Sequence, residues 1–344
     1  MLKKISAVCI GFLALQSATA QTDPAKKSTT TFTGSLDAYY RFSFNDPPAG
    51  GTNNFTSFTN SKNSFELGMA SIKVDHSIGK VSATVDLGFG KRAQEFSYND
   101  VGTTLTAVKQ AYISYAPSDK VKFTIGKWAT HIGYELLDAY ANRNYSMSYG
   151  FSYGPFFHTG LKADISLGGK SALMLGVANP TDYVSAPNGV KMLLAQFSTG
   201  TTNDKLKAYL NFQGGTGLTQ FDLVVTGVLS DQFNIAYDGT VQTSKIGTTN
   251  SSWKAHAIYL NYDPEKTFGL TLRADYFDDR KLAPVLGAAN KVFALTLSGN
   301  AKVDNLTIIP EIRLDNAKGA IFSKGSGAAT KSNASFILAA VYRF

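Results

Sequence analysis

Apolar and polar residues alternate one by one along most of this chain. In residues 31–44, Leu36, Ala38, Tyr40, Phe42 and Phe44 share one face of an extended strand, and Asp37, Tyr39 and Arg41 share the other. Residues 80–91 set Val81, Ala83, Val85, Leu87 and Phe89 against Ser82, Thr84 and Asp86. Residues 303–314 set Leu306, Ile308, Ile312 and Leu314 against Thr307, Glu311 and Arg313. A period of two held this long predicts strands with one oily and one wet face. Sixteen are expected, at 31–44, 64–77, 80–91, 105–116, 120–128, 155–167, 170–178, 190–199, 205–213, 219–230, 232–241, 253–263, 266–277, 291–300, 303–314 and 334–344. Segments 64–77, 190–199 and 253–263 break the alternation, which points to bulges. No helical period persists over twelve residues. Only long links, such as GYELLDAYANRN, hold candidates for short helices.

The links between segments alternate too. Tight turns such as SIGK, PSDK, GGK, SDQ and DPEK are expected after every second segment. Longer links fall between them at 45–63, 92–104, 129–154, 179–189, 242–252, 278–290 and 315–333; the one at 214–218 is brief. Short turns at one end and long loops at the other describe an up-and-down barrel in an outer membrane. A strand of about ten residues, tilted, spans the roughly 25 Å apolar band of such barrels. The final segment, FILAAVYRF, sharpens the point. Phe336, Leu338, Ala340, Tyr342 and Phe344 lie on one face to the last residue, with Ser335, Ile337, Ala339, Val341 and Arg343 opposite. In hydrocarbon an open sheet edge leaves backbone groups unpaired at several kcal/mol each, so this segment is expected to close on the first. The expected fold class is therefore all-β, a transmembrane up-and-down antiparallel barrel of about sixteen strands. A secreted β-sandwich is compatible with the alternation alone.

Composition adds the compartment. MLKKISAVCIGFLALQSATAQ has Lys3 and Lys4, an apolar run and Ala18-Thr19-Ala20 before Gln21, the make-up of a secretory signal peptide at 1–20, cleaved after Ala20. Residues 21–30 read as a polar leader and 31–344 as the barrel. The only cysteine, Cys9, lies in the signal, so the mature chain has no disulfide. No later run is long and apolar enough for a membrane helix. Without Lys3 and Lys4 the chain holds 31 basic and 25 acidic residues, scattered rather than clustered, which argues against a nucleic-acid partner. The 23 Phe and 17 Tyr, with sparse proline, suit a β protein.

Two stretches resemble a family. One is QAYISYAPSDKVKFTIGKWATHIGYELLDAYANRNYSMSYGFSYGPFFHTGLKADISLG, 110–168, and the other YLNYDPEKTFGLTLRADYFDDR, 259–280. Their GK turn, the GYE with a following NYS, the HTG strand and the RADYFDD run are similar to the OmpL-like β-barrel porin group of Gram-negative bacteria. The resemblance covers roughly a quarter of the chain. It implies an outer-membrane channel and hands over no named ligand residue. It also implies that Phe336, Leu338, Tyr342 and Phe344 serve as a signal for the barrel-insertion machinery.

Parity places a set of charged residues on the wet inner face: the acids Asp37, Asp86, Asp164, Asp222, Asp275 and Glu311, and Arg41, His158, Lys162, Lys207, Arg273 and Arg313. Both signs occur, so strong ion selectivity is not expected. These groups either line a pore or pair to hold strands in register. The longest link, 129–154, holds Tyr134, Glu135, Asp138, Tyr140, Arg143 and Tyr145. By resemblance to general porins it folds inward as a constriction; the alternative is an external cap.

Other signals carry little. Gly168-Gly169-Lys170-Ser171 ends like a phosphate loop but lacks the first glycine and a helix, so a hairpin turn is expected. His76, His131, His158 and His256 lie far apart in sequence, and Asp278 and Asp279 read as solvated loop acids. No cofactor, metal or enzymatic activity is expected. The expected function is passive diffusion of small hydrophilic solutes through a water-filled channel. A narrow, sugar-type porin is the alternative, and a secreted binding module the third reading. Expected partners are outer-membrane lipid and lipopolysaccharide, the insertion machinery, the solutes and a further copy of the chain.

Overall fold

In the computed structural model the described residues are 27–281, 286 and 291–344. The expected signal peptide and most of the polar leader lie outside them. Sixteen strands pair, each antiparallel to its neighbours, around a closed barrel. They are β1 (Ser28–Ser43), β2 (Ser64–Ile78), β3 (Val81–Phe89), β4 (Val108–Ser118), β5 (Val121–Ala129), β6 (Phe157–Gly168), β7 (Ser171–Ala178) and β8 (Met192–Gly200). Then come β9 (Leu206–Gly215), β10 (Leu218–Val228), β11 (Phe233–Ile246), β12 (Thr249–Glu265), β13 (Phe268–Lys281), β14 (Lys291–Val303), β15 (Leu306–Ala317) and β18 (Ser332–Arg343). A separate ribbon, β16 (Phe322–Ser323) with β17 (Ala329–Thr330), decorates the link before β18. No helix among the described residues is long and apolar enough to cross a membrane.

The seam joins β1 to β18, from Ser35 opposite Arg343 to Ser43 opposite Ser335. Beyond it Gly34 and Phe344 exchange both backbone hydrogen bonds at 2.9 Å. The Phe344 ring lies over Gly34, in space that a Cβ there would occupy. Every barrel strand thus has a partner on both sides, the condition for backbone in hydrocarbon.

Some boundaries differ from the sequence reading. β1 starts at Ser28 rather than 31. The link expected at 242–252 is a two-residue turn, Gly247-Thr248, because β11 and β12 continue to Ile246 and from Thr249. Serine and threonine carry this hairpin on beyond the apolar band, so its outer part has no oily face to read. Of the three segments marked for bulges, β2 has one, where Gly68 is passed over between Leu67 and Met69 opposite Asp37/Ala38. β12 has irregularities at Ser252/Lys254 and Tyr262/Glu265. β8 pairs regularly with both neighbours. Gly168-Gly169-Lys170 makes the hairpin turn between β6 and β7. Asp278 and Asp279 are not in a loop; they sit on β13, both buried, with Lys291 at 3.4 Å from Asp278. The stretch GYELLDAYANRN holds one 3-10 turn, Ala139–Ala141. Two short α-helices are also present, α1 (Lys91–Phe96) in the link after β3 and α2 (Tyr149–Tyr153) later in the link that holds this stretch.

The two faces have opposite environments. Outward residues such as Leu36, Val85, Ile113, Leu161, Leu210, Ile258, Ile312 and Leu338 are large, apolar and exposed. Inward residues such as Asp37, Arg41, Asp86, Asp222, Arg273 and Glu311 are buried. This reverses a soluble protein and suits a wall with hydrocarbon outside. Much of the inner face is buried by the link between β5 and β6, with help from the links after β1 and β3.

Candidate functional site in the barrel interior

The link 130–156 leaves β5 and crosses the inside of the barrel before rejoining the wall at β6. Its contacts fix that path, because it touches inward residues of β1 and β10, far apart around the wall. The Tyr145 hydroxyl donates to Asp37 on β1 at 2.6 Å, and Gly133 N donates to Asp222 on β10 at 3.1 Å. It also reaches the short-turn end. There Arg143 makes a fork of two bonds to Asp263, at 2.6 and 3.0 Å, and the Arg343 guanidinium lies 4.6 Å from the centre of the Tyr140 ring.

Most ties run to the link's main chain. Four wall carboxylates accept its N–H groups: Asp222 from Gly133, Asp238 from Tyr134 at 3.0 Å, Asp275 from Tyr149 at 3.0 Å, and Glu311 from Tyr145 and Ser146 at 2.8 and 3.1 Å. Arginines take its carbonyls. Arg273 donates to Ser146 O at 2.6 Å and Met147 O at 3.2 Å, and pairs with Glu135 at 2.7 Å. Arg313 donates to Met147 O at 2.7 Å while paired with Asp315. Arg92, on α1 and buried, donates to Leu137 O at 3.1 Å and lies 5.0 Å from the Phe58 and Tyr145 rings. Hydrogen bonds to charged groups are worth about 1.5–3 kcal/mol each, so the set anchors the link firmly. Locally, the Ser148 side chain accepts from Phe151 N at 3.1 Å and caps α2.

Nine of the twelve residues assigned inward by parity are buried inside: Asp37, Arg41, Asp86, His158, Asp222, Arg273, Asp275, Glu311 and Arg313. Lys162, Asp164 and Lys207 are partly open. Lys162 pairs with Asp164 on its own strand at 3.2 Å. Arg41 donates to the carbonyls of Thr52 and Ser61 at 2.8 and 2.7 Å, and so holds the first long link. Further charged groups were missed by the sequence reading, among them Asp238, Lys109, Arg92, Lys127 and Asp315. Asp238 was readable by parity with Ala236 and Thr240. Lys109 sits beside a bulge, where parity fails, and binds Asp86 at 3.1 Å and Asp138 at 2.5 Å. Arg92 belongs to a helix and had no strand signal. His131 and His158, far apart in sequence, come within 5.2 Å between ring centres. Among the described residues no group of three or more His, Cys, Asp or Glu could hold a metal ion.

The interior is not polar throughout. Ile337, Ala339 and Val341 of β18 face inward and pack with Tyr39, Ile309, Ala139 and Tyr145. Gly68 at the β2 bulge leaves room for the Asp37–Tyr145 bond, since a Cβ there would overlap the Asp37 carboxylate. Alanine at position 68 is therefore expected to break that bond and lower the unfolding temperature. An unchanged temperature would mean that the bulge gives way instead.

Asp182, in the link after β7, ties the mouth together. It is buried and accepts from Phe156 N and Phe157 N at 2.7 and 2.9 Å and from the Tyr98 hydroxyl at 3.1 Å. Burial pushes its carboxyl up to about 7, against the pull of those donors. An unfolded aspartate titrates near 3.9, so the folded chain keeps this proton over a range where the unfolded chain has lost it. Stability from this group is full below about pH 4 and is lost as pH rises through 7. Asp182→Asn is expected to flatten the fall in unfolding temperature between about pH 5 and pH 8. Equal slopes for both proteins would remove Asp182 as the cause.

The barrel matches solved structures over nearly its whole length. The outer membrane channel DcaP of Acinetobacter baumannii superposes with a TM-score of 0.62 at 13% identity, over 92% of this chain and 97% of that one. An anion-selective porin from Comamonas acidovorans gives 0.64 at 10% identity, over 92% and 100%. The loop L8 deletion mutant of OmpT from Vibrio cholerae gives 0.63 at 13% identity, over 92% and 99%. At such identities these likenesses establish the fold. None of the curated proteins matches the sequence. A family model does, the one described as "Putative beta-barrel porin-2, OmpL-like", over residues 29–344. That match runs from the second residue of β1 through the end of the seam, and the chain belongs to this family of outer-membrane porins, channel formers rather than enzymes.

Proposed function

We propose that this porin is a narrow, passive diffusion channel for small hydrophilic solutes, with the link 130–156 setting its bore. The observation that carries the reading is the path of that link, held to both sides of the wall. In this reading Tyr134, Glu135, Asp138, Tyr140, Arg143 and Tyr145 form the constriction. The water path runs past β6–β10, where Lys162, Asp164, Lys207, Gln196 and Tyr209 are partly open, rather than past β13–β18, where inward side chains are buried. Salt neighbours of both signs stand at this wall, so selectivity between small ions is weak. The narrow form is favoured over a wide general pore because most inward charges are already taken up by the inserted link.

The test is single-channel recording in a planar bilayer. A small, ohmic, weakly selective current is expected. A large current would show that the link leaves the lumen in the membrane, and no current would end the channel reading. We further propose that the mature protein begins at Gln21, which its mass reports. Lipid and lipopolysaccharide then cover the exposed outer face, and Phe336, Leu338, Tyr342 and Phe344 present the ring-rich edge that the insertion machinery reads. A self-associated form is proposed from family membership.

A further inference from the structure

A cavity of about 270 Å³ lies between the inserted link and the wall formed by β8, β9 and β10. His131 and Tyr134 line it from the link, and Gln196, Tyr209, Asn211 and Thr226 from the wall. No lysine, arginine, aspartate or glutamate lines it. That is unusual in an interior whose other ties are mostly ionic.

Its polar groups are arranged for hydroxyls. His131 Nε2 lies 3.1 Å from the Phe212 carbonyl oxygen, which only accepts, so this nitrogen carries the hydrogen. The Gln196 side-chain nitrogen spends its hydrogens on Asn211 Oδ1 at 2.8 Å and His131 O at 3.2 Å, which leaves its oxygen to accept. Asn211 in turn donates to Asp222 at 2.6 Å, so both amides are held in one orientation. Tyr209 and Thr226 line the cavity too, and each carries a hydroxyl that can donate and accept. Tyr134 packs on Tyr259 with ring centres 4.6 Å apart, which fixes an aromatic wall.

We propose that this cavity is a transient binding site for an uncharged, polyhydroxylated solute the size of a single sugar ring. An ion finds no counter-charge among the lining groups, and an apolar solute leaves the Gln196 oxygen and the hydroxyls unmatched. A ring bearing several hydroxyls satisfies both sets and lays its C–H face on an aromatic side chain. The volume is just under the roughly 300–1,000 Å³ typical of drug-sized ligands, which limits the occupant to one ring. The site rests on the diffusion-channel reading above and names the solute class that the channel slows and selects.

The experiment records the full-length channel with glucose, glucuronate or glucosamine added at equal concentration. Glucose is expected to reduce the ion current saturably, and the charged sugars to do so only at several-fold higher concentration. Tyr209→Ala and Thr226→Val are each expected to raise the half-blocking concentration of glucose several-fold. Thr226→Val keeps the side-chain shape, so it decides the matter where Tyr209→Ala fails to run as a folded barrel in unheated detergent. Equal block by all three sugars, or glucose block unchanged in Thr226→Val, overturns the site while leaving the channel standing. No current from the unmodified protein overturns the channel itself.

Discussion

Arg273→Ala is expected to raise single-channel conductance several-fold while the barrel still runs folded in unheated detergent. Arg273 is fully buried on β13 and holds Glu135, Ser146 and Met147 of the inserted link at once. Truncating it leaves the Glu135 carboxylate buried without its counter-ion, a situation that costs about 3–5 kcal/mol. The link relieves that cost by letting Glu135 out to water. The wall is untouched, because its strands pair through backbone that the substitution does not alter. A paired variant, Arg273→Met with Glu135→Leu, removes both charges and is expected to keep the link seated and the conductance near that of the unmodified protein. Equal conductance for Arg273→Ala and the parent would mean that this link does not set the bore.

Ile312→Arg is expected to lower the stability of the folded barrel by about 2–4 kcal/mol, the cost of a cation on the lipid face near the bilayer midplane. Ile312 lies mid-strand on β15, outward and exposed, between the buried inward residues Glu311 and Arg313. A cation is therefore native one position away and excluded here. Thr307→Arg, on the inward side of the same strand, is expected to change stability far less. Refolding into vesicles across a denaturant series measures both. Equal costs for the two variants would break the assignment of faces.

Much of this was legible because a strand at a water–lipid boundary must alternate. Leu36 to Phe44 and Val81 to Phe89 show their outer face in the sequence alone, and parity put Asp37, Arg273 and Glu311 inside. Closure was legible from the physics of unpaired backbone, and the seam at Phe344 bears it out. What the pattern did not carry is equally physical. Outside the membrane no face need be oily, so the Ser- and Thr-rich outer part of the β11–β12 hairpin looked like loop. At a bulge parity slips, which hid Lys109. The insertion of 130–156 left almost no trace in its own residues. Its main ties are N–H and C=O groups received by Asp222, Asp238, Asp275, Glu311, Arg273 and Arg313. A backbone group has no letter in a sequence, so the wall carries the code for a segment that could be written many ways.

The oily inner side of β18 has a consequence for the unfolded chain. Until Tyr39, Ile309 and Tyr145 cover Ile337, Ala339 and Val341, the run Phe336–Tyr342 presents water with no polar side at all. Seven residues of that kind, uncharged and free of proline, are the make-up of a self-sticking segment. Exposed to water before β1 and β15 pair with it, this run is the part of the chain most prone to stick to another copy.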